Sequence, residues 1–391
     1  MPKKKIVITG GGFAGVSAVR YLGRRRGAWS REFELVLIDP KENFEFLPML
    51  PDILTGRVEP KTLCYPLGEL CRRFGARFIQ TSAEGIDHKA KIIYTGAGPV
   101  EYEYAILSPG SKTNFYGNKE LESSCFRLDG VSDAVSIKME MLLRVSTKNP
   151  VNVLVVGGGY TGVEIASGVN FFLKRAGADC KVILSEKAPH ILSSSPEWMG
   201  EYVRQKLENS GIEILPGQEL KKAKDGDAFM ISGRKIDRAM CIWAAGVRTP
   251  GFLEALGKES FKTRLNVNEY LNLTGVPYDK YLFVSGDAAA FYSQRSDSPV
   301  RMAVMFAIGQ GVKAAENILL GIKGKPGSIY RAVDLGYIIP MAIGLAPGIV
   351  LGRTVNPKIG YLLHYFMCFY RATFRGKIKM IRDLILKRRE K

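Results

Sequence analysis

Histidine is nearly absent from this chain. His88, His190 and His364 are the only three in 391 residues, and none has metal-site spacing. The six cysteines (Cys64, Cys71, Cys125, Cys180, Cys241 and Cys368) contain no CxxC and no ligand-like cluster, which argues against a thioredoxin-type motif or a zinc site. Cys64 and Cys71 would stand about 10 Å apart along a helix, beyond disulfide reach. Reduced thiols in a cytosolic compartment are the expectation. No apolar run approaches the roughly 20 residues that a membrane-spanning helix needs. Met1–Lys5 leads directly into a short apolar stretch and glycines, so no secretory leader is expected.

Acidic residues are also in short supply, 38 Asp and Glu against 56 Lys and Arg, for a formal net charge of +18. Half of that excess lies in the last 39 residues, where eleven Lys/Arg face only Asp383 and Glu390. Phe374, Ile378, Ile381 and Ile385 recur there at helical spacing, with Arg375, Lys379, Arg382 and Lys387–Arg389 mostly on the other faces. The apolar run Tyr361–Tyr370 precedes them. A basic amphipathic helix lying in the headgroup plane of an anionic membrane accounts for this pattern better than nucleic-acid binding. A helix packed on its own domain or in a dimer interface is the alternative.

What the chain does have is a repeat. Ile6–Thr9 runs into Gly10-Gly11-Gly12-Phe13-Ala14-Gly15, and the next apolar run, Leu35–Ile38, ends at Asp39. The second copy, 147 residues later, is Gly157-Gly158-Gly159-Tyr160-Thr161-Gly162 after Val153–Val156, and it closes with Glu186. In each copy the acid follows the first glycine by 29 residues. Glycines let a pyrophosphate approach the turn, the following helix aims its amide groups at the phosphates, and the acid is placed to accept from a ribose hydroxyl. Two copies in the same register imply two dinucleotide sites.

Residues 1–115 read as the first nucleotide-binding unit, with a small hairpin around Gly96–Pro99 and a short strand at Tyr104–Leu107. Residues 116–275 read as the second unit, with its own strand at Ala239–Ala244. A late strand at Tyr281–Val284 leads into Gly286-Asp287-Ala288 and an apolar helix from about Val300 to Leu320. It has no fingerprint of its own, so it is expected to complete the first domain, giving 1–115 plus 276–325. Gly321–Gly327 reads as a linker, and residues 326–391 as a C-terminal module.

These motifs resemble the two-dinucleotide flavoproteins, and within them the type II NADH dehydrogenases, single-subunit NADH:quinone oxidoreductases. The resemblance runs almost end to end. It implies an α/β fold of two Rossmann-like, glutathione-reductase-like domains with a C-terminal helical membrane-surface module. For FAD it implies Gly10, Gly12, Phe13, Ala14, Gly15, Asp39, Ala83, Ser108 and Gly110, together with Gly286, Asp287 and Ala288. For NADH it implies Gly157, Gly159, Tyr160, Thr161, Gly162 and Glu186, with Ala245 and Gly246 near the nicotinamide. Glu164 is expected close to flavin and nicotinamide; the first copy has Ser17 there. More modest readings stand beside these: strand-end acids at Asp39 and Glu186, an N-cap at Asp287, a solvated helix residue at Glu164 and a plain turn at Ala245-Gly246. The negative charge of Glu186 favours NADH over NADPH, tempered by Lys187.

The expected acceptor site departs from its relatives. Their quinone motif carries paired glutamines, whereas here Val304–Gly311 keeps only Gln310, with Gly309 and Met305 in the other glutamine positions. Met305, Phe306, Gly309 and Gln310 are the expected quinone contacts, and Glu164 and Gln310 the expected catalytic pair, with no metal. Expected partners are NADH, a membrane quinone, an anionic membrane surface and a second copy of the chain, but no nucleic acid. The expected location is peripheral, on the cytoplasmic face of the cell membrane. A disulfide reductase is disfavoured because 41–56 has no cysteine. A sulfide:quinone oxidoreductase ranks low, because Cys125 alone cannot form its relay. An NADH-dependent reductase of a non-quinone acceptor is the main competitor, followed by a non-catalytic flavin and NADH sensor.

Overall fold

The computed structural model describes residues 2–256, 260–261, 263–275, 280–293 and 296–371. The basic stretch Phe374–Leu386 lies outside the described residues. In chain order, Lys4–Thr9 (β1) runs into Phe13–Arg24 (α1) and returns as Phe33–Asp39 (β2). Leu50–Leu54 (α2), Arg77–Gln80 (β3) and Tyr104–Leu107 (β4) follow. The pattern recurs as Val151–Val156 (β5), Tyr160–Arg175 (α3), Cys180–Glu186 (β6), Ile212–Pro216 (β7) and Ala239–Trp243 (β8). Leu282–Val284 (β9), Val304–Ile322 (α4) and Pro357–Arg371 (α5) complete the set used below.

Two parallel sheets result, in the orders β9-β4-β1-β2-β3 and β7-β6-β5-β8. Their strands are runs of Val, Ile and Leu because parallel strands are covered on both faces; Ile6, Val7 and Ile8 are wholly buried, as are Val153, Leu154 and Val155. The late strand joins the first sheet in parallel with β4, pairing Leu282 with Ala105, as its lack of a fingerprint led us to expect.

Two compact units emerge, 2–44 with 65–112 and 248–334, and 45–64 with 113–247 and 335–371. This division differs from the sequence boundaries mainly at three segments, each for a packing reason. Residues 45–64 join the second unit because α2 packs on α3 and on the helix Val131–Ser146. Residues from 248 join the first because Arg264–Asn266 pairs in parallel with Ala289–Ala290. Residues from 335 join the second because Ala342 N donates to Ser167 Oγ at 2.7 Å. The C-terminal module, expected to be helical, starts instead with an antiparallel sheet of Gly336–Ile338, Gly348–Val350 and Arg353–Val355 before α5.

Candidate functional site

In the first unit β1 ends at Gly10, whose φ of +92° suits glycine, and a Cβ there would lie 2.1 Å from Ser108 O. Ser108 Oγ donates to Thr9 O at 2.7 Å and ties the end of β4 to the same turn. A Cβ on Gly15 would meet Gly10 O at 1.9 Å, so a side chain would push α1 off the turn. Gly12, by contrast, is exposed and faces open space. It is the N-cap of α1, which has no side-chain cap and no acid in its first turn. Those free amide groups and the positive end of the helix dipole make an anion site. Asp39 holds the loop, with Oδ2 accepting from Gly11 N at 2.6 Å and Oδ1 from Lys41 N at 2.7 Å.

The second unit repeats this construction. Gly157 has φ +105°, and its Cβ would lie 2.6 Å from Ala244 O; a Cβ on Gly162 would stand 1.7 Å from Gly157 O. Gly159 faces open space as the uncapped N-cap of α3. Glu186 accepts from Gly158 N at 2.6 Å and from Ala188 N at 2.8 Å. Both acids therefore brace their own turns. A carboxylate has about four acceptor positions, so each can still receive ribose hydroxyls.

Around the first fingerprint, Phe13 meets Phe44 edge-on at 5.0 Å and Ala14 is buried. Gly286, φ +72°, leaves room for Ala14, whose Cβ a side chain there would meet at 3.2 Å. Asp287 follows it in a single helical turn whose N-cap is Ser285, so the carboxylate is not the cap. Its Oδ2 accepts from Ser111 Oγ at 2.8 Å, and burial raises it above the usual carboxylate range. Ala288 is buried, Gly110 faces open space with φ +72°, and Ala83 opens a small antiparallel sheet opposite Thr95.

Around the second fingerprint, Tyr160 packs on Tyr337 with ring centres 5.4 Å apart and accepts from Ser195 Oγ at 3.1 Å. Thr161 is exposed. Tyr116 Oη donates to Ala245 O at 2.9 Å, and Gly246, φ +140°, lies so close to that hydroxyl that a Cβ would be 2.3 Å from it. Glu164, one turn into α3, is half-buried; burial first and the charge of Asp52 second push it up to about 8.

The expected quinone residues divide by burial. Met305 and Gly309 are partly exposed, while Phe306 is buried under the Arg301 guanidinium, 5.3 Å from its ring centre. Gln310 is 1% exposed, and its Oε1 accepts from Gly286 N at 2.7 Å. Its amide oxygen thus secures the 286–288 turn. Gln310→Leu should leave that partly buried N–H without its partner, costing about 1–3 kcal/mol, a drop in melting temperature that calorimetry would detect.

Sequence reasoning missed Asp52, Arg57 and Tyr365. Tyr365 Oη donates to Asp52 Oδ1 at 2.6 Å, and Arg57 Nη2 donates to Ala342 O at 2.5 Å. The only signal was an acid inside the apolar run Leu50–Leu54. All six cysteines are free, and no His, Cys, Asp or Glu cluster among the described residues could hold a metal.

The family model for pyridine nucleotide-disulphide oxidoreductases matches residues 4–332. The chain belongs to that family. This oxidoreductase is 24% identical over 375 residues to a type II NADH:quinone oxidoreductase of Staphylococcus saprophyticus, covering 91% of this chain and 92% of that one. A protein of the same description from Staphylococcus aureus is 23% identical over 374 residues, with the same coverage. Among solved structures, NDH2 from Plasmodium falciparum in complex with NADH superposes with a TM-score of 0.84 at 14% identity, covering 99% of this chain and 98% of that one. The sulfide:quinone oxidoreductase of Aquifex aeolicus gives 0.78 at 18%, covering 97% and 92%. At such identities the structural likeness speaks for the fold: two Rossmann-like parallel sheets.

Proposed function

We propose that this oxidoreductase is a type II NADH:quinone oxidoreductase, with FAD held by the first unit and NADH by the second. The carrying observation is the twice-built turn, glycine-lined, uncapped and braced by an acid in the same geometry. The full-length similarity to the staphylococcal enzymes supports the activity. The first cradle fits FAD: Gly12 leaves open space at the helix N-terminus for the pyrophosphate, and Asp287 is a half-buried acceptor suited to a ribityl hydroxyl. When bound, FAD supplies the redox chemistry, accepting hydride from NADH and passing two electrons to the acceptor.

The chain's own residues bind and orient. Gly10, Gly12 and Gly15 admit the FAD pyrophosphate, and Asp39 accepts from its ribose. Gly157, Gly159 and Gly162 do the same for NADH, with Glu186 on the ribose and Ala245-Gly246 leaving room for the nicotinamide. Glu186 would repel a 2′-phosphate, and neighbouring Lys187 is engaged by Glu219 at 3.0 Å, which supports NADH over NADPH. Met305, Phe306 and Gly309 give the acceptor a largely apolar wall.

An anaerobic NADH titration followed at the flavin absorbance, then menaquinone and ubiquinone analogues, tests donor, cofactor and acceptor together. Bleaching by NADH and recovery by a quinone is the expected result. A flavin that NADH reduces and no quinone reoxidises would favour the second reading, an NADH-dependent reductase of another acceptor. The inward-turned Gln310 is the observation on that side.

We place the enzyme peripherally on the cytoplasmic membrane face, as a homodimer. No helix of the described residues is long and apolar enough to cross a bilayer. Ile359, Leu362, Phe366 and Tyr370 form an exposed apolar stripe at helical spacing on α5, Leu362 being 70% exposed. At about 1.5–3 kcal/mol per large apolar side chain, L362E/F366E should weaken binding to anionic vesicles at least tenfold, measured by flotation. Unchanged flotation would remove the stripe from the membrane contact.

A further inference from the structure

The second unit contains a cavity of about 20 Å³, room for a single water, that gathers more ionisable groups than dinucleotide binding requires. Asp52 of α2, Glu164 of α3 and His364 and Tyr365 of α5 line it, together with Arg57 and Tyr361. Asp52 accepts from Tyr365 Oη at 2.6 Å. Arg57 Nη1 donates to the same hydroxyl oxygen at 3.5 Å, and its guanidinium is held over Phe171 at 4.7 Å. His364 contributes no charge, since burial lowers it to about 4. Glu164 lies on the helix whose N-terminus forms the second anion site.

We propose that Asp52 and Glu164 hold one proton between them, and that Tyr365 and Arg57 keep it on Glu164, so that the dinucleotide helix carries a neutral carboxyl. Two carboxylates facing one small cavity resist ionising together. The Tyr365 hydroxyl and the Arg57 charge both stabilise an anion at Asp52, offsetting part of the rise that burial imposes there. Among the described residues no comparable donor reaches Glu164, and burial with the Asp52 charge pushes it up to about 8. An ionised Glu164 would set negative charge near phosphates that the α3 N-terminus attracts. Asp52 and Tyr365 are therefore positioning residues: they act on the dinucleotide through Glu164. The consequence for NADH rests on the reading of the second fingerprint given above, whereas the shared proton does not.

The test uses the FAD-loaded full chain. Calorimetric titration with NAD+, from neutral to alkaline pH, should show affinity falling with a midpoint near 8. E164Q should abolish that pH dependence. D52N removes the neighbouring charge and should lower the midpoint by about one pH unit or more. Y365F removes the donor that favours an anion at Asp52, lets the proton pass to Asp52, and should therefore weaken NAD+ binding already at neutral pH. The protonated-carboxyl infrared band should titrate with the same midpoints, and should lose its component near 8 in E164Q. A midpoint that D52N leaves in place, or a band that E164Q leaves unchanged, overturns the shared proton. If NAD+ binds at no pH, the dinucleotide reading fails, and the infrared titration still decides the pair. Should Y365F not fold, the D52N and E164Q arms suffice.

Discussion

Gly162→Ala should cripple NADH use while leaving FAD content unchanged. The added methyl would stand 1.7 Å from Gly157 O, a backbone atom that cannot swing aside. Helix α3 must therefore retreat from the turn, and the amide groups at its N-terminus move with it. Overpacking of this kind costs about 1–3 kcal/mol. If that strain is expressed in dinucleotide binding, KM for NADH rises about ten- to hundredfold. Stopped-flow reduction of the bound flavin by NADH measures it directly. A normal KM would mean that α3 does not receive the pyrophosphate. The equivalent change in the first copy, Gly15→Ala, meets Gly10 O at 1.9 Å and should instead cost FAD retention.

The largest stability effect is expected at Arg264. This buried side chain donates to Ala289 O and, at 2.9 Å, to Val300 O, joining the strand Arg264–Asn266 to the segment that follows Asp287. Hydrogen bonds from a charged group contribute about 1.5–3 kcal/mol each, so Arg264→Met should destabilise by about 3 kcal/mol or more. A fall of several degrees in melting temperature is the measurement. Arg264 also opposes the burial that raises Asp287, so its loss drives that carboxyl further toward the neutral acid. Weaker FAD retention should accompany the lower melting temperature. An unchanged melting temperature would exclude Arg264 as the tie between these segments.

The parts of the site that were legible in sequence are those whose chemistry is local. A turn that needs positive φ and admits no Cβ can be met only by glycine, so Gly10 and Gly157 announce themselves. The acids at Asp39 and Glu186 were legible because the βαβ unit sets their spacing. Gln310 was legible as a residue, but its bond to Gly286 was not. Helical position does not say whether an amide turns toward a ligand or toward Gly286, and the packing of α4 turns it inward. Asp52 and Tyr365 were invisible as a pair, since 313 positions separate them and neither belongs to a repeat.

By itself the sequence determined that two glycine turns of the same pattern exist, that each is followed by an acid in the same register, and that the late strand must return to the first sheet. The turns follow from steric demands met within a few residues, the acids from the length of the βαβ unit, and the strand from its lack of a fingerprint. Only the tertiary structure decided which segments complete which unit, because burial and ladder pairing, not chain proximity, bring 45–64 and 335–371 to the second sheet's unit and 248–275 to the first. It also decided that Glu164 shares a cavity with Asp52. Burial and the Asp52 charge delivered from α2 push that glutamate up, and no local pattern in α3 encodes either.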